Sequence, residues 1–261
     1  MLATALGTSE LWSMPIHEVA TEQSTLVPAD RETKRAFVRG MFSAIAPRYD
    51  LLNHLLSLNI DRRWRRRAIG LLGWKDAPRG NYLDLCAGTL DVAVSLAKQT
   101  GFAGQVVGAD FAEPMLRAGL QKITDRVAPV TADALDLPLA TGSVAGAIVA
   151  FGIRNVSDLD AALREVYRVL VGGGRFVILE FTTPRNAVMR SLYHLYFHSV
   201  LPLIGGIVSG HRTAYRYLPV SVAQFPAEEE LASRMQATGF SDVQWTSLSF
   251  GIAAIHVGRK R

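Results

Sequence analysis

Short apolar runs alternate with amphipathic segments from residue 81 onward, and this alternation organises most of the chain. Apolar positions at spacings of three and four predict helices over residues 91–99, 113–123 and 158–170. The apolar runs between and after them predict five strands: "YLDLC" (82–86), "QVVGAD" (105–110), "APVTADA" (128–134), "SVAGAIVAFG" (143–152) and "GRFVILEF" (174–181). Nearly continuous apolar strands joined by helices are typical of a parallel sheet covered on both faces.

The pattern changes toward the C-terminus. A helix over residues 227–240 ends at a glycine placed as a C-cap. Two strand-like runs, "DVQWTSLSF" and "IAAIHVGRK", then meet at Gly251 with almost no room between them, which predicts an antiparallel hairpin. This order favours an α/β fold of the class I S-adenosylmethionine-dependent methyltransferase type, which is Rossmann-like. We expect a mostly parallel seven-stranded sheet, an antiparallel C-terminal hairpin and a helical lid.

The chain is expected to consist of a leader and one domain. Residues 1–35 lack periodicity, so we predict a mobile leader, with helix beginning near Asp30 and no secretory signal. Residues 36–261 are predicted to form one methyltransferase domain: N-terminal lid helices (36–80), a cofactor-binding core (81–183), an apolar lid insertion (184–224) and a C-terminal helix and hairpin (225–261). The apolar stretch 191–210 is broken by Pro202 and adjacent glycines, so it is too short to span a bilayer.

Composition narrows the class of protein. Of the 261 residues, 49% are apolar, which is ample for a large core. A single cysteine, Cys86, excludes an internal disulfide and a cysteine-based zinc site, and it suits a reducing, cytoplasmic compartment. The net charge of +5 includes the run "DRRWRRR" (61–67). Such a run suits a solvated helix face, or contact with nucleic acid, anionic lipid or a phosphorylated ligand.

Acidic residues at the ends of three predicted strands point to a nucleotide-like ligand. Asp84 ends the first strand, Asp110 the second and Asp133 the third. The carboxyl ends of parallel strands meet at one edge of the sheet, where ligands bind. Asp110 can accept hydrogen bonds from both hydroxyls of a ribose, and Asp133 beside Ala134 can bind an adenine amino group. Asp84 is a further candidate cofactor contact.

The loop after the first strand distinguishes between two cofactors. NAD requires a G-x-G-x-x-G loop for close approach of the backbone to its pyrophosphate, whereas this loop reads "CAGTLD" and holds only Gly88. Asp91 adds a negative charge that would repel phosphates but suits a cationic sulfonium ligand. The loop therefore favours S-adenosylmethionine, and an NAD-dependent oxidoreductase is disfavoured.

Three longer motifs resemble those of one enzyme family. These are "YDLLNHLLSLNIDRRW" (49–64), "FGIRNVSDLDAALREVYRVLVGGGRFVILEF" (151–181) and "AYRYLPVSVAQFP" (214–226). They are similar to two signatures and a later segment of the ubiquinone/menaquinone biosynthesis C-methyltransferase family, and the likeness extends from about Phe37 to the C-terminus. The resemblance implies metal-free methylation of a ring carbon of a polyprenylated quinol, either demethylmenaquinol to menaquinol or the equivalent ubiquinone step.

The resemblance also implies which residues contact S-adenosylmethionine. By their positions in the motifs they are Thr89 with Gly88, Asp110, and the Asp133–Ala134 pair. The family usually has asparagine in place of Asp133, and either residue can accept a hydrogen bond from the adenine amine.

Two positions depart from glycines of the family pattern. If the backbone at Leu90 has positive φ, leucine there costs about 1 kcal/mol or more; if the family glycine serves close approach, the side chain would crowd the cofactor. A locally adjusted turn is the third alternative. Asn59 is the milder change, because asparagine tolerates the left-handed conformation.

Carbon methylation of a quinol requires groups that favour the phenolate and accept the ring proton. The resemblance implies a functional pair in "FGIRN": Arg154 can stabilise phenolate charge or hold a water, and Asn155 can orient the other ring oxygen. The lid supplies four candidates for lining the quinol pocket: Tyr49, Asp50, Asn53 and Tyr217.

The predicted substrate suggests where the protein works. A polyprenyl tail is insoluble in water, so the apolar insertion and the arginine-rich run predict peripheral contact with an anionic membrane. A homodimer is compatible with the sequence, and nucleic acid is not expected as a substrate because no N/D-P-P-Y/F motif follows the fourth strand. Two alternatives stay open: a methyltransferase acting on another small phenolic acceptor, and a non-catalytic quinol-binding member of the family.

Overall fold

A computed structural model describes residues 30–50, 57, 59–196 and 212–261 of the chain. Most of the predicted leader, part of the predicted insertion and the candidate substrate contact Asn53 lie outside these residues. The described α-helices are α1 (Arg31–Ile45), α2 (Ile60–Leu71), α3 (Asp91–Ala97), α4 (Glu113–Gly119), α5 (Leu159–Val169), α6 (Ala187–Leu195), α7 (Arg212–Ala223) and α8 (Glu228–Thr238). The strands are β1 (Asn81–Leu85), β2 (Gln105–Asp110), β3 (Val127–Thr131), β4 (Val144–Ala150), β5 (Leu170–Phe181), β6 (Phe240–Leu248) and β7 (Ala253–Lys260).

The described strands form one seven-stranded sheet in the order β3-β2-β1-β4-β5-β7-β6. Strands β1 to β5 run parallel, whereas β7 is antiparallel to both β5 and β6. The predicted parallel sheet with an antiparallel hairpin is therefore confirmed. Because β7 is antiparallel to both of its neighbours, β6 ends at the same edge of the sheet as the carboxyl ends of β1 to β5. The hairpin turn, Ser249–Gly251, lies at that edge.

Two strand boundaries differ from the prediction by three residues or more. Strand β5 begins at Leu170 and not at residue 174, so it includes the whole glycine run 172–174. The pairing of β5 with β4 shifts register between Val144 and Gly146. Strand β3 ends at Thr131, so Asp133 lies in the following loop, where it forms an isolated bridge with Asp136. Residues of a loop that packs against a sheet can show the same half-buried pattern as a strand, so the sequence did not mark this end.

Capping residues explain where α1 and α5 begin and where α8 ends. Asp30 accepts a hydrogen bond from the Thr33 backbone N–H at 2.8 Å, which confirms the predicted start of α1. Asp158 caps α5 in the same way, through the Ala161 N–H at 3.0 Å. Helix α8 ends at Gly239, whose φ of 114° confirms the predicted glycine C-cap.

Apolar side chains cover both faces of the sheet. On one face, α2 and α3 contribute Ile69 and Leu96 to a buried cluster that includes Val177 of β5. On the other face, α5 and α8 contribute Val166 and Met235. Burial of each such side chain stabilises the fold by about 1.5–3 kcal/mol. The sheet is thereby fixed from both sides, and the loops at its carboxyl edge are held in place.

The departure at Leu90 has a local explanation. Leu90 precedes α3 with a φ of 68°, so the backbone does adopt the left-handed conformation that favours glycine. Its side chain is fully buried, and a Cβ atom added to Gly108 of β2 would lie 2.3 Å from Leu90 Cδ2. The isobutyl group thus fills space that Gly108 leaves open. Its burial offsets the backbone strain of about 1 kcal/mol.

This pairing predicts coupled effects on stability. Gly108→Ala should lower the free energy of unfolding by about 1–2 kcal/mol, because the new methyl group collides with Leu90. Leu90→Gly should lower it by about 2 kcal/mol, since the loss of buried surface exceeds the relief of strain. In the Leu90→Gly background, Gly108→Ala should lower the free energy of unfolding by less than half of what it does in the wild type. Urea unfolding followed by circular dichroism measures all three variants, and strictly additive losses would contradict the packing described here.

Candidate active site

A cavity opens at the carboxyl edge of the sheet. Its walls include residues from 85–88, 109–111, 132–134 and 150–157, together with Arg35, Phe42, Tyr49 and Met115. The backbone of these loops turns tightly: Cys86, Gly88 and Phe151 have φ values of 51°, 53° and 63°. Left-handed backbone at non-glycine residues is costly, and it is concentrated at ligand sites of folded proteins. Leu90 does not line this cavity, so its side chain does not crowd a ligand there.

Asp110 holds two loops of the cavity together. Its Oδ2 atom accepts a hydrogen bond from the Gly88 backbone N–H and its Oδ1 atom accepts one from the Ala112 N–H, both at 2.8 Å. Burial raises the pKa of Asp110, while these two bonds act in the opposite direction. Each carboxylate oxygen retains a second lone pair. Asp110 can therefore shape the loop and still accept hydrogen bonds from ligand hydroxyls.

Asp133 and Ala134 line the same cavity, on the side of the β3 loop. Asp133 Oδ1 accepts a hydrogen bond from the Leu135 N–H at 3.1 Å, and Oδ2 forms an ion pair with Arg35 of α1 at 2.8 Å. Lys34 Nζ of the same helix donates to the Val156 carbonyl at 2.8 Å. Helix α1 is thus attached to two loops that line the cavity. An asparagine at position 133, as in the family pattern, would not form the ion pair.

Asp84 does not line the cavity. The side chain is almost fully buried beneath α3, and its Oδ2 atom accepts a hydrogen bond from the Ala93 N–H at 2.9 Å. Burial raises the pKa of Asp84 to about 7. This carboxyl group joins the end of β1 to the first turn of α3, and its contact with the cofactor stays a prediction.

Thr89, Asp50 and Asp91 belong to one polar network beside the cavity. The Thr89 hydroxyl donates to Asp50 Oδ1, and Lys122 Nζ lies 2.7 Å from both Asp50 Oδ2 and Asp91 Oδ1. Asp91 Oδ2 accepts from Arg65 at 2.9 Å. None of these side chains lines the cavity. Asp91 is therefore paired with two cations of the protein, and its suitability for a sulfonium ligand stays a prediction.

Asn155 and Tyr49 do face the cavity. Asn155 is 8% exposed, and its Oδ1 atom has no hydrogen-bond partner among the described residues. An unpaired buried amide oxygen costs about 1–3 kcal/mol, which a ligand donor would recover. Tyr49 packs edge-on against Phe42 of α1, with ring centroids 5.9 Å apart, and lies close to Gly88.

Arg154 is paired with Glu180, which was not among the predicted site residues. Its Nη1 atom donates to Glu180 Oε1 at 2.7 Å and to the Phe151 carbonyl at 2.6 Å. The side chains of Arg154 and Glu180 are only 7% and 2% exposed. The one glutamate in the apolar run "FVILEF" was the signal for it, since a charged residue there needs a buried partner.

Tyr217 lines a second cavity of about 430 Å³, which shares Val156 and Ser157 with the first. Arg154, Ser221 and Lys34 also line this space. Tyr217 is 2% exposed, its hydroxyl has no hydrogen-bond partner among the described residues, and burial raises its pKa to about 12. Six predicted residues thus share the first cavity (Gly88, Asp110, Asp133, Ala134, Tyr49 and Asn155), while Arg154 and Tyr217 share the second.

The sheet order and the cavity at its carboxyl edge define the class of the protein: it has the fold of S-adenosylmethionine-dependent methyltransferases. A solved SAM-dependent methyltransferase from Thermotoga maritima superposes with a TM-score of 0.62 at 20% identity, over 86% of this chain and all of that one. This likeness supports the fold.

Sequence comparison identifies the family. The model of the ubiE/COQ5 methyltransferase family matches residues 29–260. The demethylmenaquinone methyltransferase of Thermus thermophilus is 51% identical over 221 residues, which are 84% of this chain and 99% of that protein. The ubiquinone/menaquinone biosynthesis C-methyltransferase UbiE of Geobacter sp. (strain M21) is 47% identical over 228 residues, or 85% and 96% of the two chains. The chain therefore belongs to the ubiE/COQ5 methyltransferase family.

Proposed function

We propose that this protein methylates a ring carbon of a polyprenylated quinol, converting demethylmenaquinol to menaquinol. Two relatives with the corresponding names, matched over almost their whole length, support this substrate class. The observation that carries the proposal is the cavity. It combines a carboxylate for ribose hydroxyls (Asp110), one for an adenine amine (Asp133) and the amide oxygen of Asn155, which has no partner in the described part of the chain.

These residues suit S-adenosylmethionine. When bound, the cofactor supplies an electrophilic methyl group. Asp110 would hold the ribose, and Asp133 with Ala134 the adenine edge. Gly88 leaves room at the loop after β1, where a Cβ atom would approach Met115 Cε to 3.4 Å. Asp50 and Thr89 would act indirectly, because their mutual hydrogen bond fixes the residue that follows Gly88.

The acceptor side would be formed by Tyr49 and Asn155 of the first cavity, with Arg154 and Tyr217 of the adjoining second cavity. Asn155 would orient one ring oxygen of the quinol. The hydrogen-bond donors of Arg154 would favour ionisation of a ring hydroxyl, which places electron density on the adjacent carbon. After methyl transfer the ring carbon must lose its proton, and water held by these polar side chains would accept it.

The test is methyl transfer from labelled S-adenosylmethionine to an equal mixture of reduced demethylmenaquinone and the demethylated ubiquinone precursor. We expect label on the naphthoquinol ring, and Asn155→Ala should lower kcat at least tenfold. Asn81→Ala, an exposed asparagine at the opposite edge of the sheet, is the control. Cofactor binding without label on either ring would favour another phenolic acceptor. If the protein neither binds the cofactor nor labels either ring, a quinol-binding member of the family without methyltransferase activity is favoured.

We also propose that the carboxyl edge of the sheet contacts an anionic membrane. Helix α6 exposes Val188, Leu192 and Leu195 at spacings of four and three, with exposed fractions of 68%, 54% and 59%. Phe250, in the hairpin turn at this edge, is 79% exposed. Such apolar side chains would insert at the lipid surface and draw the substrate's tail toward the site.

Basic residues lie next to this apolar surface. Trp64 of α2 donates a hydrogen bond to Ser249 of the hairpin turn at 3.2 Å, so α2 is attached beside Phe250. The same helix exposes four arginines: Arg62, Arg63, Arg66 and Arg67. Each basic side chain near an anionic surface contributes roughly 1 kcal/mol to binding. No described helix is both long and apolar enough to cross a membrane.

Vesicle sedimentation tests the membrane proposal. Reversing the charge at Arg63, Arg66 and Arg67 should weaken binding to phosphatidylglycerol vesicles by at least tenfold, and Phe250→Ser should weaken it severalfold. The matched control reverses three exposed cations elsewhere: Lys75, Arg79 and Arg164. Equal losses in both triple variants would mean that only net charge matters. Unchanged binding in the first would exclude α2 as the contact.

A further inference from the structure

Glu180, the buried partner of Arg154, has no role in the proposed reaction so far. It lies near the end of β5 with 1% exposure, among the most buried charged groups of the described chain. Burial raises its pKa, and the adjacent guanidinium of Arg154 acts in the opposite direction. Its Oε1 atom accepts two hydrogen bonds, from Arg154 Nη1 at 2.7 Å and from the Phe181 N–H at 2.9 Å.

The three guanidinium nitrogens of Arg154 differ in the hydrogen bonds that they donate to the protein. Nη1 donates to Glu180 and to the Phe151 carbonyl, and Nε lies 3.3 Å from Ser221 Oγ. Nη2 has no hydrogen-bond partner among the described residues. The Phe181 ring lies on the guanidinium, with its centroid 5.6 Å from Cζ. One end of the guanidinium is thus fixed by protein atoms, while the two donors of Nη2 are left for a ligand.

Arg154 lines the second cavity together with Tyr217, whose hydroxyl is also without a partner in the described part of the chain. Both unpaired groups belong to buried side chains, where an unmade hydrogen bond is costly. A ring oxygen of a quinol would satisfy them. Since Arg154 and Glu180 together carry no net charge, the pair offers directed donors without a full positive charge in a buried site.

We infer that Glu180 is a positioning residue for methyl transfer: it fixes the Nη1 side of Arg154 so that Nη2 faces the substrate's ring oxygen, and it moderates the charge which that oxygen experiences. The inference rests on the proposed function, because it assumes a quinol oxygen beside Arg154. It also explains why a charged side chain is kept in the apolar end of a central strand.

Two substitutions distinguish the effect of the position of the Glu180 carboxylate from the effect of its charge. Glu180→Asp keeps the charge but withdraws the carboxylate from Nη1, so kcat should fall at least tenfold with an unchanged pH profile. Glu180→Gln keeps the size but leaves Arg154 with an uncompensated charge. That charge favours the phenolate, so the acid limb of the kcat profile should move to lower pH. Affinity for S-adenosylmethionine, measured by calorimetry, should stay within twofold in both.

The chain offers a matched control. Glu228 is another buried glutamate paired with an arginine, Arg185, at 3.2 Å. Glu228→Gln should change neither kcat nor the pH profile. The inference is overturned if both Glu180 variants keep kcat and the acid limb, or if they lose activity only in proportion to cofactor affinity.

A comparison of Arg154→Gln with the double variant tests the inference even if Glu180→Gln alone is unstable. If Glu180 acts through Arg154, adding Glu180→Gln to Arg154→Gln should change kcat by less than twofold, because no guanidinium remains to be positioned. Independent losses that multiply would overturn the inference.

A readout without substrate separates this inference from the proposed function. Side-chain nitrogen NMR should show slow exchange of the Arg154 Nη1 protons in the wild type and at least tenfold faster exchange in Glu180→Gln. If that holds while no quinol is methylated, the positioning stands and the proposed function fails. If quinol is methylated but exchange and kcat are the same in the variant, the positioning is wrong.

Discussion

The hydrogen bonds of one buried carboxylate, Asp110, fix the geometry on which the candidate site depends. They join the loop after β1, at Gly88, to the loop after β2, at Ala112. Because both loops leave parallel strands of the same sheet, this cross-connection sets the width of the cavity between them. The left-handed residues Cys86 and Leu90 are tolerated because packing on both sides of the sheet holds their loop in place.

Most charged side chains beside the cavity form ion pairs with one another. Asp50 and Asp91 are paired with Lys122 and Arg65 outside the cavity wall, and Arg154 is paired with Glu180. Asp110 and Asn155 keep free acceptor capacity where a ligand would bind. Asp110 thus presents a carboxylate without a cationic partner among the described residues, and its charge suits hydrogen bonds from ligand hydroxyls.

The sequence was sufficient for the features that depend on local patterns. The order of elements predicted the sheet, the residues at strand ends predicted Asp110 and Ala134 in one cavity, and the asparagine at position 59 does adopt the left-handed conformation, with a φ of 60°. Partnerships between distant side chains could not be predicted in this way. Glu180 is 26 positions from Arg154 and Lys122 is 72 from Asp50, so only packing brings them together. Asp84 and Thr89 illustrate the same limit, because their hydrogen bonds to the Ala93 N–H and to Asp50 could not be inferred from their positions near the end of β1.

Calorimetric titration with S-adenosylmethionine tests the central claim most directly, with the wild type, Asp110→Asn and the exposed control Asp125→Asn compared side by side. The structure predicts one cofactor per chain for the wild type and the control, and at least tenfold weaker binding for Asp110→Asn, which loses one loop contact and the charge that strengthens hydrogen bonds to ribose hydroxyls. Absence of binding in the wild type, or equal affinity in all three proteins, would contradict this account.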